Sequence, residues 1–194
     1  MRSKIKFNFF QKLSTHLNEQ LMSNKRKTER RARAGKYLNF HLGSECYGIS
    51  VTDISEIIRL CPITEMPKMP QYFLGVINLR GKIIPVIDLA KRLDLSKEED
   101  LERACIIVVN AQNNEQENQL VGLQVDKVDE VVAINEDSME APPDFYDSIS
   151  GHFIQAMAKV KDAVVTILDI EDILSNTKDL EHKEEEPHQE TYAI

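Results

Sequence analysis

No tryptophan occurs in the 194 residues, and glycine, at seven, is scarce for a chain of this length. Those few glycines build no Walker loop and no Gly-x-Gly-x-x-Gly to cradle a phosphate, and no Gly-x-Ser-x-Gly to present a hydrolase nucleophile. Cys46, Cys61 and Cys105 are odd in number and far apart, which argues against a disulfide framework and a zinc site; half-buried free thiols are expected. The five histidines, at 16, 41, 152, 182 and 188, make no ligand-spaced pair, so neither a metal nor a cofactor is expected. No apolar run approaches the roughly 18 residues a membrane-spanning helix needs, and the basic N-terminus leads into no cleavable apolar signal. A cytoplasmic location is the default expectation.

Charge is unevenly placed. Residues 1–35 carry ten Lys and Arg against Glu19 and Glu29, a net +8, whereas residues 36–194 are net −16 within a total of −8. The acidic main part is a poor candidate for nucleic-acid binding. In the leader, residues 1–35, the apolar side chains at 10, 13, 17 and 21 share one helical face ahead of the basic run Lys25 to Arg33. Such a helix suits weak contact with an anionic membrane surface or docking on a partner; the competing reading is a disordered leader. Residues 175–194, with Glu184-Glu185-Glu186, read as a solvated acidic tail.

Between these ends the pattern is that of short strands. Tyr37 to Leu42 and Glu45 to Ser50 flank Gly43-Ser44 as a hairpin, and after Val51 a helical turn leads to a third strand. Three prolines, Pro62, Pro67 and Pro70, make an irregular connection to the central stretch, Gly75 to Leu93. There two β-branched runs flank Arg80-Gly81, a tight hairpin with Gly81 at positive φ and one Arg at its tip. Pro85 cannot donate a ladder hydrogen bond, so its strand is expected at an edge or bulged. Ser96 to Arg103 reads as a charged linker, Asn110 to Gln119 as a polar loop, and Asn135 to Ser150 as a partly exposed connector.

The chain then repeats itself. Cys105 to Val109 answers Tyr37 to His41. Gly122, Leu123, Val125, Val128, Glu130, Val131 and Val132 lie 74 positions after residues of the same class, Gly48 to Ile58. Val164, Val165, Ile167, Leu168, Asp169, Ile170 and Leu174 lie 81 positions after Ile83 to Leu93. The repeated aliphatic positions are expected to be buried, and Asp88 and Asp169 to cap the short helices that follow them. Two copies of about five short strands each avoid exposed edges by closing into small barrels that share a core. The expected fold is all-β with a few short helices: residues 36–174, with subdomains of about 36–95 and 104–174 that can exchange strands.

Asn78-Leu79-Arg80-Gly81, the apolar run with Pro85, and then Asp88-Leu89 resemble the signature of the CheW family, the coupling proteins of bacterial chemotaxis. Glu45-Cys46-Tyr47-Gly48-Ile49, followed by Val51, Ile54, Glu56 and Ile57, is similar to the family's first block. The resemblance covers about Lys36 to Leu174 and implies two five-stranded SH3-like barrels. It also implies an adaptor that links the cytoplasmic tip of a methyl-accepting chemoreceptor to the regulatory domain of a histidine kinase, in arrays at the inner membrane face. Carried over residue by residue, the receptor-facing positions are Ile54, Glu56, Ile57, Gly75, Asn78 and Arg80. Separately, the equal spacing of the two motifs from their barrel ends makes Glu56 a candidate neighbour of Arg80. Kinase-facing residues are not assigned. The second copy departs from the motif, since Lys159-Val160-Lys161-Asp162 occupies the equivalent turn, and only the first copy has an Arg tip.

Read by their residues alone, two function classes stand. A scaffold of small barrels offers edges and a groove to other proteins and performs no catalysis. A close variant is a CheW-like adaptor of another chemosensory pathway, such as pilus-based motility, raised by the basic leader. An orphan hydrolase would instead need a carboxylate pair drawn from Asp53, Glu56, Asp88, Asp126, Asp129 and Glu130.

Overall fold

The computed structural model describes residues 32–95, 102–112, 118–142, 153–161 and 163–175. Nearly all of the basic leader, whose helical or disordered reading is thus not tested, the acidic tail and most of the Ser96 to Arg103 linker therefore lie outside the described residues. Strands β1 (Gly35–Leu42), β2 (Glu45–Ser50) and β3 (Ile54–Arg59) come first, with a 3-10 turn, Val51–Asp53, leading into β3. The hairpin of β4 (Phe73–Leu79) and β5 (Lys82–Asp88) follows, closed by helix α1 (Leu89–Arg92). The second copy runs β6 (Cys105–Gln112), β7 (Asn118–Val125), β8 (Lys127–Ile134), a two-residue β9 (Met139–Glu140), β10 (Ile154–Val160), β11 (Ala163–Leu168) and α2 (Ile170–Ser175).

These strands form two sheets, one ordered β8-β1-β2-β11-β10-β9 and the other β3-β6-β7-β5-β4. The fold is all-β, as expected, with two sheets and few short helices. Each sheet takes strands from both copies: β8, β10 and β11 join β1 and β2, while β6 and β7 join β3, β4 and β5. The exchange is symmetric, because β2 pairs in parallel with β11 and β7 pairs in parallel with β5.

Burial follows the two-residue period of a strand, which sends alternate side chains to opposite faces. Ile84 and Val86 of β5, with Ile106 and Val108 of β6, fill the interior of the five-stranded barrel. Val165 and Ile167 of β11, with Tyr37 of β1, fill the other. The alternate positions, including Leu38, Phe40, Ile87, Ile107, Leu123 and Leu168, meet in a third and larger cluster between the barrels. That central cluster is the shared core. Gly48 and Gly122, at the parallel crossings, make the close approach possible: a Cβ would lie 2.9 Å from Ile167 at the first and 2.8 Å from Ile106 at the second.

The helices obey the same symmetry. Asp88 accepts a hydrogen bond from Lys91 N at 3.1 Å and Asp169 from Asp172 N at 3.1 Å, so both acids are the predicted N-caps. Arg92 breaks it. Its guanidinium lies between the rings of Tyr72 and Phe153, 5.0 and 4.7 Å from their centroids, and its Nε donates to the carbonyl of Ile173, the residue 81 positions on. Burial pushes this guanidinium below its ordinary pKa, and the two ring faces supply the compensating negative potential. Arg92 thus ties the first copy's helix to the second's.

Three expectations are corrected. Strand β5 is not an edge, because it lies between β4 and β7, and it is not bulged at Pro85: the one β4–β5 register shift lies between Phe73 and Gly75, opposite Ile87 and Val86. Pro85 is tolerated because the parallel pairing with β7 spans only Val86 to Asp88, and its antiparallel partner Val76 exchanges both backbone bonds with Thr64 instead. The polar stretch from Asn110 to Gln119 is not all loop: β6 and β7 pair as far as Gln112 and Asn118, and Ala111 is buried in the central cluster. Finally, not every repeated aliphatic position is buried. Ile57, Ile83, Val131 and Val164 are exposed by 45, 77, 51 and 57%.

Candidate functional site: two barrel tips

Arg80 and Gly81 both have positive φ, 53° and 86°, as a two-residue type I′ hairpin requires. The sequence reading assigned that conformation to Gly81 alone. Asn78 builds the turn from below, its Oδ1 accepting from Gly81 N at 2.8 Å. A left-handed Arg is strained, and Asn is the residue such a turn prefers at that place. Folding alone therefore does not account for an Arg there.

The side chain of Arg80 is 79% exposed, yet it is held. Its Nη2 donates to Glu56 Oε2 at 2.9 Å, and Glu56 is 25% exposed. The pair spans a seam, since β3 and β4 are the two outer strands of their sheet and Glu56 lies on β3. An ion pair so exposed contributes only about 0–1 kcal/mol to folding, so its evident effect is to orient the cation. Ile57 on β3 and Ile83 on β5 are exposed.

The other predicted positions divide by role. Ile54 is half-buried and packs on the central core. Gly75 is buried at φ 139°, where a Cβ would sit 2.2 Å from the carbonyl oxygen of Thr64. Gly75 and Asn78 therefore shape the tip, whereas Glu56, Ile57 and Arg80 form its surface.

The second copy has a tip of its own that motif reading missed. Lys161, at φ 55°, occupies the β10–β11 turn, and its Nζ donates to Glu130 Oε1 of β8 at 2.8 Å. This pair also spans outer and hairpin strands, and the hydrogen bond to Glu130 is the main reason the Lys161 ammonium is held above its ordinary pKa. The signal lay in the repeat offsets, 74 from Glu56 to Glu130 and 81 from Arg80 to Lys161.

The candidate carboxylates have structural partners. Asp88 caps a helix, Asp126 accepts from Gly43 N, Asp129 meets His41 and Lys127, and Asp53 accepts from the Thr52 hydroxyl. Burial pushes the Cys46 and Cys105 thiols up, away from the thiolate form a nucleophile needs. Among the described residues no group of three or more His, Cys, Asp or Glu is arranged to hold a metal ion, and no helix is long and apolar enough to cross a membrane.

Comparison with known proteins agrees with this architecture. A family profile for the CheW-like domain matches residues 36–178. The probable chemotaxis protein CheW of Rhizobium etli is 29% identical over 139 residues, covering 72% of this chain and 86% of that protein. The chemotaxis protein CheW of Bacillus subtilis is 32% identical over 139 residues, with the same coverage of 72 and 86%. Among solved structures, the scaffolding protein TtCheW of Thermoanaerobacter tengcongensis superposes with a TM-score of 0.65 at 36% identity, covering 73% of this chain and 92% of that one.

Proposed function

The chain belongs to the CheW-like domain family, and from that premise we propose that it is a non-enzymatic scaffold of chemotaxis signalling, coupling chemoreceptors to a histidine kinase. The mechanism is positional. The protein supplies contact area and a fixed spacing through which a coupling free energy of about 1–3 kcal/mol passes from receptor to kinase. Its place is with receptor arrays at the inner membrane face, bound to the cytoplasmic receptor tip and to the kinase's regulatory domain.

The observation that carries the reading is the strained, exposed Arg80 aimed by Glu56. A residue unfavourable for its turn and nearly free of the core, held by Glu56 on a strand where Ile57 is also exposed, suits recognition better than folding. Arg80, Glu56 and Ile57 are the proposed receptor-facing surface, with Ile54 beneath them and Gly75 and Asn78 fixing the geometry. Desolvated arginines at interfaces are frequent hot spots, costing roughly 2 kcal/mol or more on truncation.

Arg80→Glu tests this directly. The variant should melt within about 0.5 kcal/mol of the parent, as exposed substitutions usually do. Titration with a receptor cytoplasmic fragment should show binding weakened at least tenfold, about 1.4 kcal/mol. Unchanged affinity in a folded variant would remove Arg80 from the interface. Arg80→Asn separates strain from charge: it relieves the turn, so it should melt no lower than the parent and still lose binding.

A further inference from the structure

The end of the first barrel opposite the Arg80 tip holds a cavity of about 280 Å³, where β5 and β7 finish and β4 begins. One side of it is apolar, formed by Leu60, Ile63 and Leu74, and the deeper side is polar. Asp88 and Gln124 are partners in the parallel register and lie two residues beyond Val86 and Gly122, so both side chains point into the barrel and line the cavity. Gln124 is only 9% exposed, and its amide has no hydrogen-bond partner among the described residues. Buried polar side chains are normally paired, so an unpaired amide on a cavity wall marks room for a polar ligand atom. Asp88 has an oxygen to offer as well. Its Oδ1 caps α1, and its Oδ2 has Lys91 Nζ at 3.4 Å, beyond ordinary hydrogen-bond length.

The internal repeat shows how the same place is closed. Asp169, 81 positions after Asp88, accepts on its Oδ2 a hydrogen bond from Gln155 Nε2 at 3.1 Å. The residue 81 positions before Gln155 is Leu74. The two hairpins share one register, Phe73 opposite Ile87 and Ile154 opposite Leu168, so the two positions are equivalent. In the second barrel an internal amide satisfies the acid. In the first, leucine stands there, and the acid and Gln124 are left facing the cavity.

We propose that this cavity is a binding site for a small primary amine with an aliphatic or aromatic body. Its ammonium group donates to Asp88 Oδ2 and Gln124 Oε1, and its body rests on Leu60, Ile63 and Leu74. A charged donor makes the stronger bond to a buried carboxylate, which selects an amine over an alcohol of the same shape. Glu65, an exposed residue of the lining, adds negative charge and disfavours anions. The volume lies just under the roughly 300–1,000 Å³ of drug-sized sites, so the ligand is small. Thr64, within the segment that walls the cavity, is hydrogen-bonded to Val76 of β4, so the site is tied to the strand that ends at Arg80. The inference does not depend on which proteins the chain couples.

The test titrates the isotopically labelled full chain with benzylamine at constant pH and ionic strength, followed by nuclear magnetic resonance. Benzyl alcohol and benzoate are the neutral and anionic probes of matching shape. Benzylamine should bind with a Kd of about 1 mM, an ordinary efficiency for so few atoms, and at least fivefold more tightly than either other probe. The shifts should fall on the Gln124 side-chain amide and on the backbone amides of Cys61, Ile63 and Glu65. Cys61 lines the cavity, so in a chain with Cys46→Ser and Cys105→Ser, saturating benzylamine should slow its reaction with methyl methanethiosulfonate at least threefold. Leu74→Gln copies the second barrel's closure and should weaken benzylamine at least fivefold with a native circular dichroism spectrum; Gln124→Leu takes its place if that spectrum is not native. No saturable shift up to about 10 mM, tenfold above the expected Kd, would overturn the proposal. So would shifts that map elsewhere, equal binding of benzyl alcohol or benzoate, an unprotected Cys61, or undiminished affinity in a folded variant. The comparison of the three probes needs no variant and decides by itself.

Discussion

Gly75→Ala should cost roughly 2–6 kcal/mol, adding a positive-φ penalty of about 1–3 kcal/mol to overpacking of about 1–3 kcal/mol. At φ 139° the backbone is in a region that side chains rarely enter. The added methyl would also meet the carbonyl oxygen of Thr64 at 2.2 Å and its carbon at 2.8 Å. Backbone cannot swing aside as a flexible side chain can. Moreover Thr64 is fixed by reciprocal hydrogen bonds with Val76, both 2.9 Å, which tie the proline-rich connection to β4. Relief of the clash would break that bridge and move the strand carrying the Arg80 tip. A denaturant melt should show the loss, against a total stability of about 5–15 kcal/mol for ordinary domains. A near-neutral Gly75→Ala would mean that the close approach is not rigid. Any receptor-binding defect of a Gly75 variant is accordingly expected to follow from fold.

Ile87→Ala and Leu168→Ala should each destabilise by roughly 2–5 kcal/mol, the range for large-to-small changes in a sealed core. The two residues are 81 positions apart, both 2% exposed, and both in the cluster between the barrels. Their neighbours come from both copies, so neither barrel can collapse onto the void independently. Val86→Ala is a useful contrast, since Val86 lies inside one barrel and removes fewer atoms. An Ile87→Ala melt unchanged from the parent would place β5 in the wrong phase.

What the sequence made legible was local or repeated. The hairpins, the 3-10 turn before β3 and the caps Asp88 and Asp169 depend on neighbours within a few residues, and turn chemistry records them directly. Long-range pairing left weaker traces. That β5 is internal depends on β7, more than thirty residues on, and Pro85 obscured it because proline's usual exclusion from internal strands holds only where a partner needs its N–H. The ladder carrying β6 and β7 into polar sequence has Ala111 as its one apolar trace.

The candidate site was half legible for a similar reason. The Arg80 tip stood out because Asn-Leu-Arg-Gly resembles a known motif, and Glu56 was placed beside it by spacing. Lys161 lacked the motif and was passed over, although the offsets pointing to it and to Glu130 were already in the repeat. Ile83 shows the limit of pattern reading: it begins an apolar run, but alternation along the twisted hairpin turns it to solvent at 77% exposure. Composition cannot distinguish an aliphatic side chain kept for the core from one kept for a partner.

The central claim, a scaffold that joins two partners without chemistry of its own, is tested most directly by reconstitution. The full chain is mixed with a chemoreceptor cytoplasmic fragment and a histidine-kinase regulatory domain, and the mixture is resolved by size-exclusion chromatography with mass detection. All three should co-elute in one complex, and omission of this chain should leave the receptor fragment and the kinase domain in separate peaks. A chain that elutes apart from both partners would contradict the account.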